Sequence, residues 1–353
     1  MAELGWVLDR RAPDRGRLLE LLGLPDEQLI AALGGSRRAR LLEWRARPGT
    51  ARMARPAHGA QICRHAERWP RSLSQAWAPT MLTWLGGEAR LAELLDRPIV
   101  AFLDSAEASD YGRAMAASLA RGATAAGGTV VAGLAGPIAR AAHEGSATVG
   151  GSLAIAGDGL DPARLGASAR TVLAAGCVLS ELPWGAPGRI WGAIAAERIA
   201  AGLACAAVVV ECGAGGRELW AARLCAHPGA VPGMVTSPLS RGPHDLLKAG
   251  AKLISGPEDL LDLLHDAGAE PLASTEPLVS PALEPELRRV ADLVGAGADT
   301  VERVAAASAA GRVGPAGIRA SLGALGRLEA AGTLGRTEHG RWVKLDPAGG
   351  DGR

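Results

Sequence analysis

From Pro98 onward the chain alternates two patterns. Short runs of β-branched and other apolar residues, such as Ile99-Val100-Ala101-Phe102-Leu103, give way to longer alanine-rich stretches whose apolar positions keep helical spacing. The runs predict strands at 99–103, 129–133, 153–157, 177–182, 207–212, 229–231 and 252–254. The stretches between them predict helices at 111–126, 138–148, 165–175, 194–204, 218–226 and 245–249. Strands separated by crossover helices make an α/β fold, a doubly wound, mostly parallel Rossmann-like sheet.

The flanks follow other patterns. Residues 1–95 combine leucine, arginine and tryptophan with helical patterning in Arg17-Leu18-Leu19-Glu20-Leu21-Leu22 and Asp26-Glu27-Gln28-Leu29-Ile30, broken by Gly34-Gly35 and Pro48-Gly49. This predicts a small helical, SAM-like N-terminal domain ahead of a core at 96–268. A stretch rich in Pro, Ser and Thr at 269–282 has the composition of a linker. Residues 283–347 run helix, helix, helix, hairpin, the order of a winged helix, with its third helix at 316–331, hairpin strands at 333–336 and 341–345, and a tail at 348–353.

Composition narrows the function classes. With 38 basic and 37 acidic side chains the net charge is +1, so the molecule as a whole presents no polyanion-binding field. The five cysteines (Cys63, Cys177, Cys205, Cys212, Cys225) fall at no framework or CxxC spacing, which predicts a reduced, cytoplasmic protein. The N-terminus has charge and no long apolar run, and nothing reaches the roughly 18 apolar residues of a membrane span, so neither a signal peptide nor a membrane partner is expected. His58, Cys63 and His65 lie close together but lack a fourth ligand and zinc spacing, so no metal and no cofactor are expected.

Two turns stand out in the core. Val130 to Ile138 is a strand, a small-residue turn and a helix start with Pro137 in the first helical turn. Such a turn exposes backbone N–H groups at the positive helix end and suits phosphate. Ala156-Gly157-Asp158-Gly159-Leu160-Asp161 repeats the arrangement at the next strand end. Neither is the GxGxxG dinucleotide fingerprint, and each is equally compatible with simple fold punctuation. Ligands of open α/β sheets sit beyond the carboxyl ends of strands, so these turns would line a site there.

The order of the motifs resembles the DprA/Smf family of DNA-processing proteins. That family's Gly-Ser-Arg turn and Tyr-Gly helix start correspond to Asp104-Ser105-Ala106 and Ser109-Asp110-Tyr111-Gly112. Its Ser-Gly-x-Ala-x-Gly-Ile-Asp-x-x-Ala-His segment corresponds to 132–143, from Ala132-Gly133-Leu134-Ala135-Gly136 to His143. Gly157-Asp158-Gly159-Leu160-Asp161 and Ser180-Glu181-Leu182-Pro183 match outright. Its Arg-Asn-Arg-Ile helix appears as Ala196-Glu197-Arg198-Ile199, leading into Val208-Val209-Val210-Glu211. Ala230-Val231-Pro232-Gly233 and Ser240-Arg241-Gly242-Pro243, continuing through Lys248 to Ala251, match the closing segment, and 69–73 and 79–86 resemble the lead-in to the core. The resemblance implies a non-enzymatic homodimer that binds single-stranded DNA and assists loading of the RecA recombinase in natural transformation or recombination. It places the nucleic acid on Ser105, Tyr111, Gly133, Ala135, Arg140, Gly157, Gly159, Arg198, Ser240, Arg241, Gly242 and Lys248.

The chain departs from that pattern where charge matters. The family's arginines are replaced by Ala106 and Ala196, its asparagine by Glu197 and its aspartate by Ala139. Between Pro98 and Asp266 there are 12 basic and 15 acidic side chains, whereas a phosphate-holding domain usually shows a basic patch. Arg189, Arg217 and Lys252 are further members of a possible patch. Single-strand binders often stack bases on aromatics; Tyr111 at a helix start is the better candidate, Phe102 belongs in a strand, and Trp184, Trp191 and Trp220 either stack or pack. Arg37, Arg38, Arg40, Arg45, Arg47, Arg52 and Arg55 either contact phosphate or solvate a helix face. In the winged helix, Arg319 and Arg327 on the third helix and Glu338, His339 and Arg341 in the wing are sparse for duplex recognition and favour protein contacts. Ser105, His143 and Asp161 show no spacing that assembles a catalytic triad, and Gly213 to Glu218 only echoes the Pro-Gly-Gly-x-Gly-Thr-x-x-Glu signature of phosphoribohydrolases on the same fold. Two alternatives stay open: a divergent paralogue whose core binds a nucleotide or protein without DNA, and a winged-helix DNA-binding regulator.

Overall fold

The computed structural model describes residue 8 and residues 14–46, 59–74, 78–269, 285–308, 315–330, 333–337 and 340–344. Its centre is a nine-stranded sheet made of β1 (Gly59–Cys63), β2 (Met81–Leu85), β3 (Ile99–Leu103), β4 (Thr129–Gly133), β5 (Ser152–Ile155), β6 (Cys177–Ser180), β7 (Ala206–Val209), β8 (His227–Ala230) and β9 (Lys252–Leu253). The spatial order is β1-β2-β6-β5-β4-β3-β7-β8-β9. Strands β3 to β9 pair in parallel, while β2 runs antiparallel to both β6 and β1. The chain winds outward from β3 through β4, β5 and β6, then crosses back to β7 and winds the other way, so the sheet is doubly wound.

Period-two alternation sorts the strand side chains between two cores. In β3, Ile99, Ala101 and Leu103 face one side. They pack with α4 (Glu88–Asp96), α8 (Ile190–Leu203), α9 (Arg217–Ala222) and α10 (Arg241–Lys248) through Leu94, Ile199, Leu219 and Leu246. Val100 and Phe102 face the other side, against α5 (Asp110–Ala125), α6 (Pro137–Ala147) and α11 (Pro257–Asp266) through Leu119, Ile138 and Leu264. The short α7 (Ala167–Leu173) covers the sheet near β5 and β6. Phe102 is therefore core, as its strand position predicts.

The expected boundary at residue 95 does not separate two structural units. Residues 59–96, read from sequence as part of a helical domain, contribute β1, β2 and α4 to the central sheet. Antiparallel strands at a sheet margin keep one face half exposed, so β1 carries Gln61 and no continuous apolar run to betray it. What remains helical is α1 (Arg15–Leu22), α2 (Asp26–Leu33) and α3 (Arg38–Ala46), whose Leu18, Leu21, Leu29 and Leu41 share a cluster with Leu182, Trp191 and Ile194 of the core. Helix α10 begins four residues earlier than expected, because Pro243 sits in the first turn, where its missing N–H breaks no ladder bond.

The C-terminal unit contains α12 (Pro285–Gly295), α13 (Val301–Ser308), α14 (Pro315–Ala330) and an antiparallel pair, β10 (Leu334–Arg336) with β11 (Trp342–Lys344). Val290, Val304, Leu325, Leu328 and Trp342 form its own core, and the Arg336 guanidinium lies 4.2 Å from the centre of the Trp342 ring. Helix α14, the expected recognition helix, packs against α5 of the central domain. Arg341 pairs with Asp299 at 2.7 Å; Glu338 and His339 lie outside the described residues, as does most of the expected linker.

Candidate nucleic-acid interface and its cavity

The carboxyl ends of β3, β4 and β5 open into a cavity of about 620 Å³. Both glycine turns line it: Gly133, Leu134 and Ala135 after β4, and Gly157 to Asp161 after β5. Backbone approaches closely here, and a Cβ on Gly192 of α8 would stand 2.0 Å from the Gly157 carbonyl oxygen, so only glycine lets α8 dock against that turn. Gly159 is equally constrained, with the Pro183 carbonyl 1.9 Å from where its Cβ would be.

The expected anion slot at the start of α6 is already filled from within the chain. Asp104, at the end of β3, is buried and accepts the Ala139 N–H at 3.1 Å. Burial raises its carboxyl above the usual range, while N–H groups of Ala139, Gly136 and Ser105 pull it back. A carboxylate occupies the place where a helix N-terminus would otherwise receive phosphate. Gly136 has no Cβ because one would fall 2.2 Å from Asp104 Oδ2.

Across the cavity, Glu197 of α8 is buried and accepts from Arg217 Nε at 2.5 Å. Burial pushes its carboxyl up to about 8 against the pull of Arg217, and Glu218 and Asp104 add to the rise. The ionisable lining is then Asp104, Asp158, Asp161 and Glu197 against Arg164, Arg189 and Arg217. Four carboxyl groups against three guanidiniums do not make a basic cradle.

The sequence-named residues separate into three sets. Gly133, Ala135, Gly157 and Gly159 form cavity wall. Ser105, Arg198, Ser240 and Gly242 are buried, which removes them from direct contact with a strand on the surface. Arg198 in particular is closed in, its Nη2 donating to Glu181 Oε2 at 2.7 Å and its Nη1 to the Ala195 carbonyl. The role expected for it as a phosphate contact gives way to that of a buried structural charge. Tyr111, Arg140, Arg241 and Lys248 are exposed. Arg140 and Arg241 sit near the starts of α6 and α10, beyond the carboxyl ends of the strands, but Lys248 ends α10 and so points to the opposite edge of the sheet. Arg164 and Arg189, exposed at the cavity mouth, are the more favourable cations. The sequence names Arg189 as a member of a possible patch but not Arg164, which follows Pro162 in a short 3₁₀ turn with no motif to mark it.

Trp184 and Trp191 are buried and pack in the apolar clusters, and Trp220 is half-buried. His143 is buried with both ring nitrogens engaged, Nε2 with the Gly133 carbonyl at 2.8 Å and Nδ1 with Ser152 Oγ at 2.7 Å, so neither is left to serve Ser105 as a base. Arg45 of the N-terminal arginine run pairs with Asp26 and Glu27, and Arg38 and Arg40 are exposed; Arg47, Arg52, Arg55 and His58 lie outside the described residues. Among the described residues no three or more metal-ligating side chains come together, and no helix is long and apolar enough to cross a membrane.

The model of the family described as DNA recombination-mediator protein A matches residues 60–265, the span from β1 to the end of α11. The chain belongs to that family. A DprA relative from Mycobacterium tuberculosis is 34% identical over 240 residues, which cover 65% of this chain and 61% of the relative. Protein Smf of Escherichia coli is 35% identical over 148 residues, 39% of this chain and 40% of that protein. The chain thus matches less than two thirds of the length of either. Among solved structures, DprA from Streptococcus pneumoniae superposes with a TM-score of 0.54 at 26% identity, covering 68% of this chain and 86% of that one. DprA from Helicobacter pylori, a single-stranded DNA binder, shares the fold with a TM-score of 0.52 at 18% identity, covering 60% and 97%. The family's span begins at β1, in agreement with a core that opens at residue 59.

Proposed function

We propose that this DprA-family chain is a DNA-processing protein that binds single-stranded DNA along the outer rim of the sheet, and that it acts by binding rather than catalysis. The supporting observation is the family core at 60–265 together with exposed Arg140, Arg164, Arg189 and Arg241 around the carboxyl ends of its strands. The mixed lining of the cavity favours a strand held at the rim over one drawn inside. Tyr111, exposed at the start of α5, supplies a stacking face beside the same edge. On this reading a homodimer is the acting unit and RecA recombinase receives the strand in transformation or recombination, in the cytoplasm. On the same reading the C-terminal unit acts as a winged helix whose third helix serves protein contacts instead of duplex recognition, and the packing of α14 on α5 supports this.

A salt titration of binding to a single-stranded oligonucleotide, beside a duplex of the same sequence, tests this. Four phosphate contacts at about 0.7 each give a log–log slope of about −3. The double variant Arg140→Ala/Arg241→Ala lowers the slope by about 1.4. A preference for the duplex, or a flat salt response, overturns the proposal.

A further inference from the structure

The floor of the cavity holds a polar atom with nothing to bond. Glu197 gives Oε1 to Arg217, while Oε2 is buried and has no hydrogen-bond partner among the described residues. Its side chain is 4% exposed. A buried carboxyl oxygen left unpaired carries an uncompensated desolvation cost, so chains seldom retain one unless something else completes it. Glu197 lines the cavity, which is the direction from which a ligand reaches it.

The surroundings say what kind of ligand. At about 620 Å³ the cavity has the size of a small-molecule site. Leu134, Ile155, Leu160 and Leu165 supply apolar wall for a flat ring. At the floor phosphate is disfavoured twice: Asp104 fills the start of α6, and Arg217 is held by Glu197 and lies 3.8 Å from Glu218. We propose that the cavity is a binding site for a free nucleoside without phosphate, in which the Glu197 carboxyl, its Oε1 taken by Arg217, donates Oε2–H to a ring nitrogen or carbonyl oxygen of the base. The base packs between the apolar walls at the floor, beneath the mouth whose Arg164 and Arg189 belong to the rim that meets single-stranded DNA.

The test uses the full chain. Calorimetric titration with adenosine, guanosine, cytidine and thymidine, each beside its 5′-monophosphate, is expected to show at least one nucleoside binding at least tenfold tighter than its monophosphate. Glu197→Met, which fills a similar volume and leaves no polar group at Oε2, is expected to weaken that nucleoside at least tenfold. The same variant leaves oligonucleotide binding and its salt slope unchanged, so failure here is distinguishable from failure of the rim. Should Glu197→Met not fold, Ala193→Leu narrows the cavity from α8 and is expected to abolish nucleoside binding. Silence from all four nucleosides at 1 mM, equal or tighter binding of the monophosphates, or wild-type affinity in the folded variants overturns the proposal.

Discussion

Arg198 shows how far a side chain's surroundings can depart from its motif. Its guanidinium is 1% exposed and its partner Glu181 9%. Removing one member of a buried pair strands the other, so Arg198→Ala is expected to cost about 3–5 kcal/mol in urea unfolding. Any loss of DNA binding in that variant tracks the unfolded fraction and vanishes where the protein is fully folded. Two other buried groups set opposite pH limits. His143 is held neutral, its burial lowering the ring from 6.5 to about 4 against the opposing pull of the Gly133 and Ala132 backbone. Below pH 6.5 the unfolded chain takes up a proton that the folded chain refuses, so stability falls as pH drops from 6.5 towards 4, by about 3 kcal/mol at about 1.4 per unit. Its NMR ring signals should stay in the neutral form at pH 5. Glu197, with a raised pKa, works the other way: stability falls as pH climbs from 4.5 through about 8. Melting temperatures from pH 5 to 9 should fall less steeply on the alkaline side in Glu197→Gln.

At the scale of elements, α6 and β3 form one device. The helix presents free N–H groups and the strand end delivers Asp104 to them. Asp104→Gly is expected to lose about 1 kcal/mol of capping in phosphate-free buffer. It also opens the slot, so added inorganic phosphate should raise the melting temperature of the variant and leave the wild type unchanged; a variant indifferent to phosphate refutes the account. The strand, small-residue turn and Pro137 were legible in the sequence because each is a local signal. The occupant was not, since Asp104 lies 35 residues from Ala139 and reaches it only because β3 and β4 are neighbours. Strand β1 escaped for a related reason, being marked by its antiparallel pairing with β2 and not by periodicity.

For the whole molecule, the central sheet and the C-terminal unit have separate cores, and among the described residues the two clusters flanking the sheet contain none beyond Ala269. A chain ended at residue 269 is therefore expected to fold, with a cooperative thermal transition and the far-ultraviolet signature of an α/β domain. If α14 only leans on α5, the oligonucleotide salt slope of the shortened protein equals that of the full chain. A collapse of the transition would show that the C-terminal unit is needed to complete the fold.

Local order in the chain decided the parallel strands, the crossover helices and the two glycine turns, because apolar periodicity and backbone freedom are properties of neighbouring residues. It also decided the family, through motifs that stay in sequence order. Which charges face water was settled by tertiary packing alone. Arg198 and Arg140 are the same residue type on helices, yet one is sealed against Glu181 and the other exposed, since burial depends on what the sheet brings alongside. The same packing turned Asp104 and Glu197 inward and gave this cavity its mixed lining.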